Sequence, residues 1–365
     1  MSGAERASHN ANPATDADAL QARLLEGVSR TFALTIPQLP EALLRPVANA
    51  YLLCRIVDTI EDETALSSHE KRLYCDHFVR VVKDREPPEL LSRELAPRLS
   101  DATSVAEREL IGLIPEVIAI TRSLDMPQHA ALADCVSIMA TGMAEFQDRD
   151  LRYGLPTMAE TSRYCYFVAG VVGEMLTRLF CHYSGEIAAH RDVMMSLSIS
   201  FGQGLQMTNI LKDLWDDHGR GVCWLPQDIF AEAGFDLKAL APGHHNPAFR
   251  KGFTRLISIA RGHLENALRY TLLIPAHETG IRDFCLWALG MAILTLRKIH
   301  ENLDFEQSSE VKISRRAVKA TVLTTGWCHS SDTLLKAVFS LAATGLPGAT
   351  RPDILSSPFH TSLQN

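Results

Sequence analysis

Apolar residues in this chain recur every three or four positions over long stretches, at 43–61, 105–124, 130–147, 162–184, 188–217, 249–273, 281–302 and 317–342. That spacing is the period of an α-helix buried along one face. Alternating apolar and polar runs with hairpin turns, the mark of strands, are scarce. Breakers separate the blocks: Pro87-Pro88, Pro127, the 154–156 stretch, Pro226, Pro242-Gly243 and Pro275. No repeat of fixed period and no clear linker interrupts the series. The predicted fold is all-α, a single domain of about ten helices over 19–346. The stretches 1–18 and 347–365 read as tails, the first taken to be disordered.

At 365 residues the chain can bury one large core. Its net charge of −7 gives no general affinity for nucleic acid or anionic membrane, since both need a basic face, and leaves only a local basic patch open. The eight cysteines form no CxxC pair and read as buried, reduced thiols of a cytoplasmic protein. No HExxH is present. The N-terminus lacks the basic-then-apolar order of a signal peptide, and no run of 18 apolar residues occurs. A chain that neither spans a membrane nor is exported is expected.

Two acidic clusters interrupt this apolar pattern. Asp58, Glu61 and Asp62 end the first long block, and Tyr51 and Arg55 precede them at the same rhythm. Residues 51, 55, 58 and 62 therefore form one helical stripe carrying a phenol, a guanidinium and two carboxylates. Asn209, Asp213 and Asp217 step by four in the second cluster, just after Gln206 and around Lys212. Like charges at i,i+4 destabilise a helix by about 0.2–0.5 kcal/mol per pair. Burial sharpens the repulsion. The acidic end of the first block also opposes the helix dipole. Carboxylates in this arrangement suit Mg²⁺, which takes one or two of them together with substrate phosphates. An EF-hand is excluded, because no glycine-centred loop of the required length is present.

These motifs resemble those of the squalene/phytoene synthase family. Asp58-Thr-Ile-Glu-Asp62 is similar to its first aspartate-rich motif, and Asp213-Leu-Trp-Asp-Asp217, after Thr208-Asn209, to its second. Ser29-Arg-Thr-Phe32 resembles the Ser-Arg-Ser-Phe element near the N-terminus. The stretch from Tyr164 through Gly170 to Gly173 resembles the central tyrosine motif, and Phe284-Cys-Leu-Trp287 a late helix. The order Tyr51-Leu-Leu-Cys-Arg55-Ile-Val-Asp58 and the Phe-Cys helix favour the squalene-forming branch over the phytoene-forming one.

The resemblance implies an isoprenoid synthase helical bundle around a central cavity. It implies a Mg²⁺-dependent head-to-head condensation of two farnesyl diphosphates to presqualene diphosphate, followed by NADPH-dependent rearrangement to squalene. Asp58, Asp62, Asp213 and Asp217 would be metal ligands, with Glu61 as a helper. Arg30, Arg55, Lys212 and Arg220 would grip phosphate oxygens. Tyr164 would transfer the proton, with Tyr51 in support. Ser29, Phe32, Gln206, Asn209 and Phe284 would contact substrate, and Phe167 and Trp287 would add apolar wall. Gly170 and Gly173 would allow close approach of an isoprenoid or of another helix. Arg30, Arg55, Lys312 and Arg315 would contact the NADPH phosphate. Here Ser314 stands where squalene-forming members carry the arginine of a Lys-x-Arg, and Arg315 comes one later. Eukaryotic members end in a membrane-anchoring helix, whereas 356–365 is polar. A soluble, bacterial-type monomer is expected, with peripheral contact at the inner membrane face as a companion expectation.

Other readings stay open. A reductant-independent relative would make presqualene diphosphate, dehydrosqualene or phytoene. A non-catalytic scaffold would be expected to lose the aspartates. A terpene cyclase would carry Asn, then Ser or Thr, then Glu in its second motif, which 213–217 does not match.

Overall fold

The computed structural model describes residues 13–353 apart from Arg30, His244 and His245. Twelve helices carry the argument: α1 (Pro13–Val28), α2 (Glu41–Asp62), α3 (Ser68–Val82), α4 (Met126–Ala144), α5 (Met158–Cys165), α6 (Val171–Tyr183), α7 (Arg191–Lys212), α8 (Leu214–Gly219), α9 (Pro247–Leu273), α10 (Thr279–Glu301), α11 (Arg315–Cys328) and α12 (Asp332–Ala342). Among the described residues there is no strand, and one isolated bridge joins Leu155 to Pro226. The all-α expectation therefore holds.

Local chemistry sets the helix starts. Ser67 with Glu70, and Asp125 with Gln128, close capping boxes at α3 and α4. Asn246 caps α9, with Pro247 at its first position. On α2, Leu52, Leu53, Ile56, Val57 and Ile60 are fully buried, so the stripe of 51, 55, 58 and 62 is left to face elsewhere. Burying each such side chain contributes about 1.5–3 kcal/mol, which anchors the acidic stripe.

α7 packs along α9 and against α6, placing it at the centre of the bundle. A five-residue π turn, Tyr166–Gly170, joins α5 to α6. A Cβ on Gly173 would lie 2.3 Å from the Ser198 carbonyl oxygen, and one on Gly202 would lie 2.2 Å from that of Ala169. Two backbones therefore touch here. Gly173 thus meets another helix and also lines the central cavity, so both expected partners stay open to it.

Several predicted blocks divide. The 105–124 block breaks at Leu113 into Val105–Gly112 and Ile114–Ser123, because Pro115 has no N–H to offer the preceding turn. The 188–217 block breaks at Asp213, and the 317–342 block at 329–331, where Ser331 caps α12. α3 went unpredicted because it is strongly charged and buries only Cys75, His77, Phe78, Val81 and Val82.

The tail boundaries also differ. α1 begins at Pro13, inside the stretch read as a tail. Past 347, the Ser258 hydroxyl meets Thr350 Oγ1 at 2.7 Å and also donates to the Gly348 carbonyl. All eight cysteines are free, and all but Cys181 are buried. Met158–Tyr183 and Thr279–Glu301 are long and apolar enough to cross a bilayer, yet most of each lies inside the bundle.

Candidate active site

The last turns of α2 open onto a central cavity of about 1480 Å³. Tyr51, Arg55, Asp58, Glu61 and Asp62 all line it. Arg55 lies 3.8 Å from Asp58 and is also gripped by Glu107, which comes from the Val105–Gly112 helix. The Asp58 side chain keeps 28% of its surface accessible. Burial pushes its carboxyl up to about 7; Arg55 opposes the rise and Asp62 and Glu107 add to it. Glu61 is likewise pushed to about 7 by burial and by Asp62, with Lys71 opposing.

The second cluster stands on the same cavity. Gln206, Asn209, Lys212, Asp213, Asp216, Asp217 and Arg220 line it. Asp213 sits at a jog between α7 and α8 rather than inside one straight helix. Register survives the jog: Asp213 N–H donates to the Asn209 carbonyl at 2.8 Å, and Asp217 N–H to that of Asp213 at 2.9 Å. The four-residue step therefore still places these side chains along one wall. Lys212 lies 3.1 Å from Asp213, and Arg220 pairs with Asp217. Burial raises the Asp217 carboxyl, Arg220 opposes the rise, and Asp213 and Asp62 add to it. Arg220 also feels Asp62. Both clusters line this one cavity, and Asp62 acts on Asp217 and Arg220, so the clusters do not lie on opposite surfaces.

Tyr164 forms part of the wall beside the first cluster. Its ring stacks on Trp224 at 3.6 Å between centroids and 9° between planes, and meets Phe146 edge-on at 5.4 Å. Burial, then the charges of Glu61, Asp58 and Asp62, push its phenol well above the usual range. It therefore keeps its proton at neutral pH. Tyr51 packs against Phe32 at 4.9 Å, and its hydroxyl donates to the Val28 carbonyl at 3.4 Å. Ser29 Oγ accepts from the Phe32 N–H at 3.0 Å, so Ser29 shapes the turn next to Tyr51 rather than lining the cavity.

Other expectations divide. Phe32 and Phe284 line the cavity, while Phe167 and Trp287 are core residues away from it. Lys312 lines the cavity and Arg315 does not: Ser314 caps α11, and Arg315 is its first, exposed residue. Arg30 lies outside the described residues. Sequence reasoning missed Glu107, Trp224, Lys71, Arg149 and Arg152. The last two line the cavity from the 147–152 stretch after α4. Its alternation of Asp and Arg was the signal available.

Among the described residues, no three carboxylates, imidazoles or thiolates converge on one ion position. Facing carboxylates on two walls fit Mg²⁺ held by one or two protein oxygens and completed by phosphate oxygens and water. Of the four residues expected at the NADPH phosphate, Lys312 and Arg55 line the cavity, and the buried Arg55 Nε has no partner there. Arg315 is exposed and does not line it.

A sequence profile described as Squalene/phytoene synthase matches residues 25–317. The chain belongs to the squalene/phytoene synthase family. Within this family, it is 31% identical over 320 residues to squalene synthase ERG9 of Gibberella zeae, covering 84% of this chain and 64% of that protein. It is 30% identical over 305 residues to squalene synthase of Solanum lycopersicum, covering 82% and 68%. The chain thus spans about two thirds or less of the length of these curated relatives. In fold it is similar to a TcSQS complex with the ligand BPH1237, at TM-score 0.71 and 23% identity, covering 92% of this chain and 93% of that one. A dehydrosqualene synthase in complex with a ligand matches at TM-score 0.57 and 20% identity, covering 90% and 96%. These two likenesses place the squalene/phytoene synthase bundle as the fold.

Proposed function

We propose that this protein is a squalene synthase, a farnesyl-diphosphate farnesyltransferase. It joins two farnesyl diphosphates head to head as presqualene diphosphate and then reduces and rearranges that product to squalene. The observation that carries this reading is the meeting of both acidic clusters on one large apolar-walled cavity. Its 1480 Å³ exceed the roughly 300–1,000 Å³ typical of a pocket for one small ligand, which suits two isoprenoid chains.

Asp58 and Asp62 on one wall, and Asp213 and Asp217 on the other, would hold Mg²⁺. When bound, the metal neutralises charge developing on the leaving diphosphate. Arg220 and Lys212 sit beside the second cluster and add donors for phosphate oxygens. Arg55 is held in place by Glu107 and Asp58. Tyr164, neutral and stacked on Trp224, would pass a proton from the carbon next to the cation to a diphosphate oxygen. A phenol does this without the risk that a stronger nucleophile would trap the cation. Phe32, Phe146 and Phe284 keep water from the cation. The second half-reaction consumes a hydride, which NADPH supplies; no residue is assigned to the reductant beyond Lys312 at the cavity wall.

The test is a product assay on purified protein with farnesyl diphosphate and Mg²⁺, with and without NADPH. Squalene formed only with NADPH is the expected outcome. Dehydrosqualene, or accumulated presqualene diphosphate regardless of NADPH, would overturn the squalene reading.

A further inference from the structure

The hairpin of α11 and α12 carries a surface for which the catalytic reading has no use. Leu323 is 64% exposed, Trp327 88%, Leu334 52% and Leu341 72%. Leu323 and Trp327 are one turn apart on α11, and Leu334 and Leu341 two turns apart on α12. Their opposite faces are committed: Thr321, Thr325, Cys328 and Leu335 are buried, and Thr321 meets Gly290 of α10. A single exposed leucine needs no explanation, but four exposed apolar side chains on one hairpin, one of them a nearly bare tryptophan, do.

Charge gives the second observation. From Val311 to Arg351 the charged residues are Lys312, Arg315, Arg316, Lys319, Lys336 and Arg351 against Asp332 alone. Asp332 is paired at 2.9 Å with the buried Arg282. All six basic residues are exposed. The whole chain is acidic, at −7, so this basic hairpin stands against the background. Exposed tryptophan and leucine beside lysine and arginine are the composition that inserts at a lipid headgroup boundary. A second copy of the chain fits less well, because a two-fold contact would set this basic face near itself.

We infer that the α11–α12 hairpin docks onto a membrane surface rich in anionic lipid. Leu323, Trp327, Leu334 and Leu341 enter the headgroup region, and the surrounding lysines and arginines meet lipid phosphates. Lys312, Ile313 and Val318 line the cavity, so docking brings that end of the cavity to the lipid. The inference stands on exposure and charge and does not depend on the reaction proposed above.

The test uses the full chain with vesicles of phosphatidylcholine, alone or mixed with phosphatidylglycerol. The protein is expected to co-sediment with the mixed vesicles, less so at high salt, and to show a blue shift in tryptophan emission. The shift is expected to vanish in Trp327→Phe. A variant carrying Leu323→Ser, Trp327→Ser, Leu334→Ser and Leu341→Ser is expected to keep its circular dichroism and lose about tenfold or more in vesicle partitioning. Equal partitioning of wild type and variant would overturn the inference. So would absence of wild-type binding, or a vesicle-independent dimer that the variant dissolves. If the fourfold variant unfolds, Trp327→Phe alone decides through the emission shift.

Discussion

Asp58 and Asp213 both end long helices at the same cavity, but their surroundings differ. Asp58 belongs to an unbroken helix that buries Leu52, Leu53, Ile56, Val57 and Ile60 fully, and it shares Arg55 with Glu107. Burial holds Asp58 and Glu61 at about 7. Asp213 stands at a helix jog, and its cluster carries its own cations in Lys212 and Arg220. The difference teaches that similar acidic motifs reach different electrostatic states. Asp58 and Glu61 rise to about 7 although Arg55 and Lys71 oppose the rise, whereas Lys212 lies within 3.1 Å of Asp213 and Arg220 pairs directly with Asp217. The first cluster therefore depends more on a cation from outside.

The largest expected effect comes from removing one carboxylate on each side. Asp58→Asn and Asp213→Asn should each lower the rate of presqualene diphosphate formation by about a hundredfold or more. Their stabilities should diverge: without Mg²⁺, Asp58→Asn should melt above wild type at pH 8, while Asp213→Asn should melt close to it. Turnover within tenfold of wild type for either variant would break the shared-site reading. Equal melting shifts would break the contrast between the clusters.

Tyr164→Phe comes next. It should keep diphosphate binding, measured by calorimetry with an unreactive analogue, and slow presqualene diphosphate formation by about a hundredfold or more. Near-normal turnover would remove Tyr164 from proton transfer.

The third prediction concerns pH. Asp58 and Glu61 hold protons in the folded state up to about 7, whereas the unfolded chain releases them near 4. Between those values the folded state binds more protons, so without metal their contribution to stability falls as pH rises through that window. Mg²⁺ binding requires their ionised form. The melting gain from added Mg²⁺ should therefore be larger at pH 8 than at pH 5.5, and more so in wild type than in Asp58→Asn. An equal gain at both pH values would contradict it.

The smallest effect lies away from both clusters. His263 is buried between α9 and α7, with Nδ1 2.8 Å from Ser200 Oγ, and burial lowers its pKa to about 4. The unfolded chain binds this proton near 6.5, so stability drops as pH falls from 6.5 toward 4, by about 3 kcal/mol at most. The sign is opposite to that of Asp58 and Glu61. Denaturant titration of His263→Gln should show that acid loss removed; an unchanged acid limb would argue against it.

Much of the site was legible because helical spacing is local. The 51, 55, 58, 62 stripe needed only the helical period, and the structure keeps it on one face. The 209, 213, 217 series survived a break in its helix because hydrogen bonding continued through the jog. Trp224 and Glu107 were not legible. Trp224 reaches the cavity and Glu107 reaches Arg55 from elements distant in sequence, and no spacing rule links Trp224 to Tyr164. Arg315 differs again: Ser314 caps the helix, and Arg315, its first residue, is exposed and does not line the cavity.

From its residue order alone, this chain is committed to helices, to two carboxylate-bearing stripes and to a tyrosine motif, because backbone period and side-chain chemistry are set within a few residues. That the stripes share one cavity, that burial raises carboxyls on both of its walls and that a basic, apolar hairpin stays uncovered were decided by packing. Desolvation and long-range contact exist only once distant helices have met.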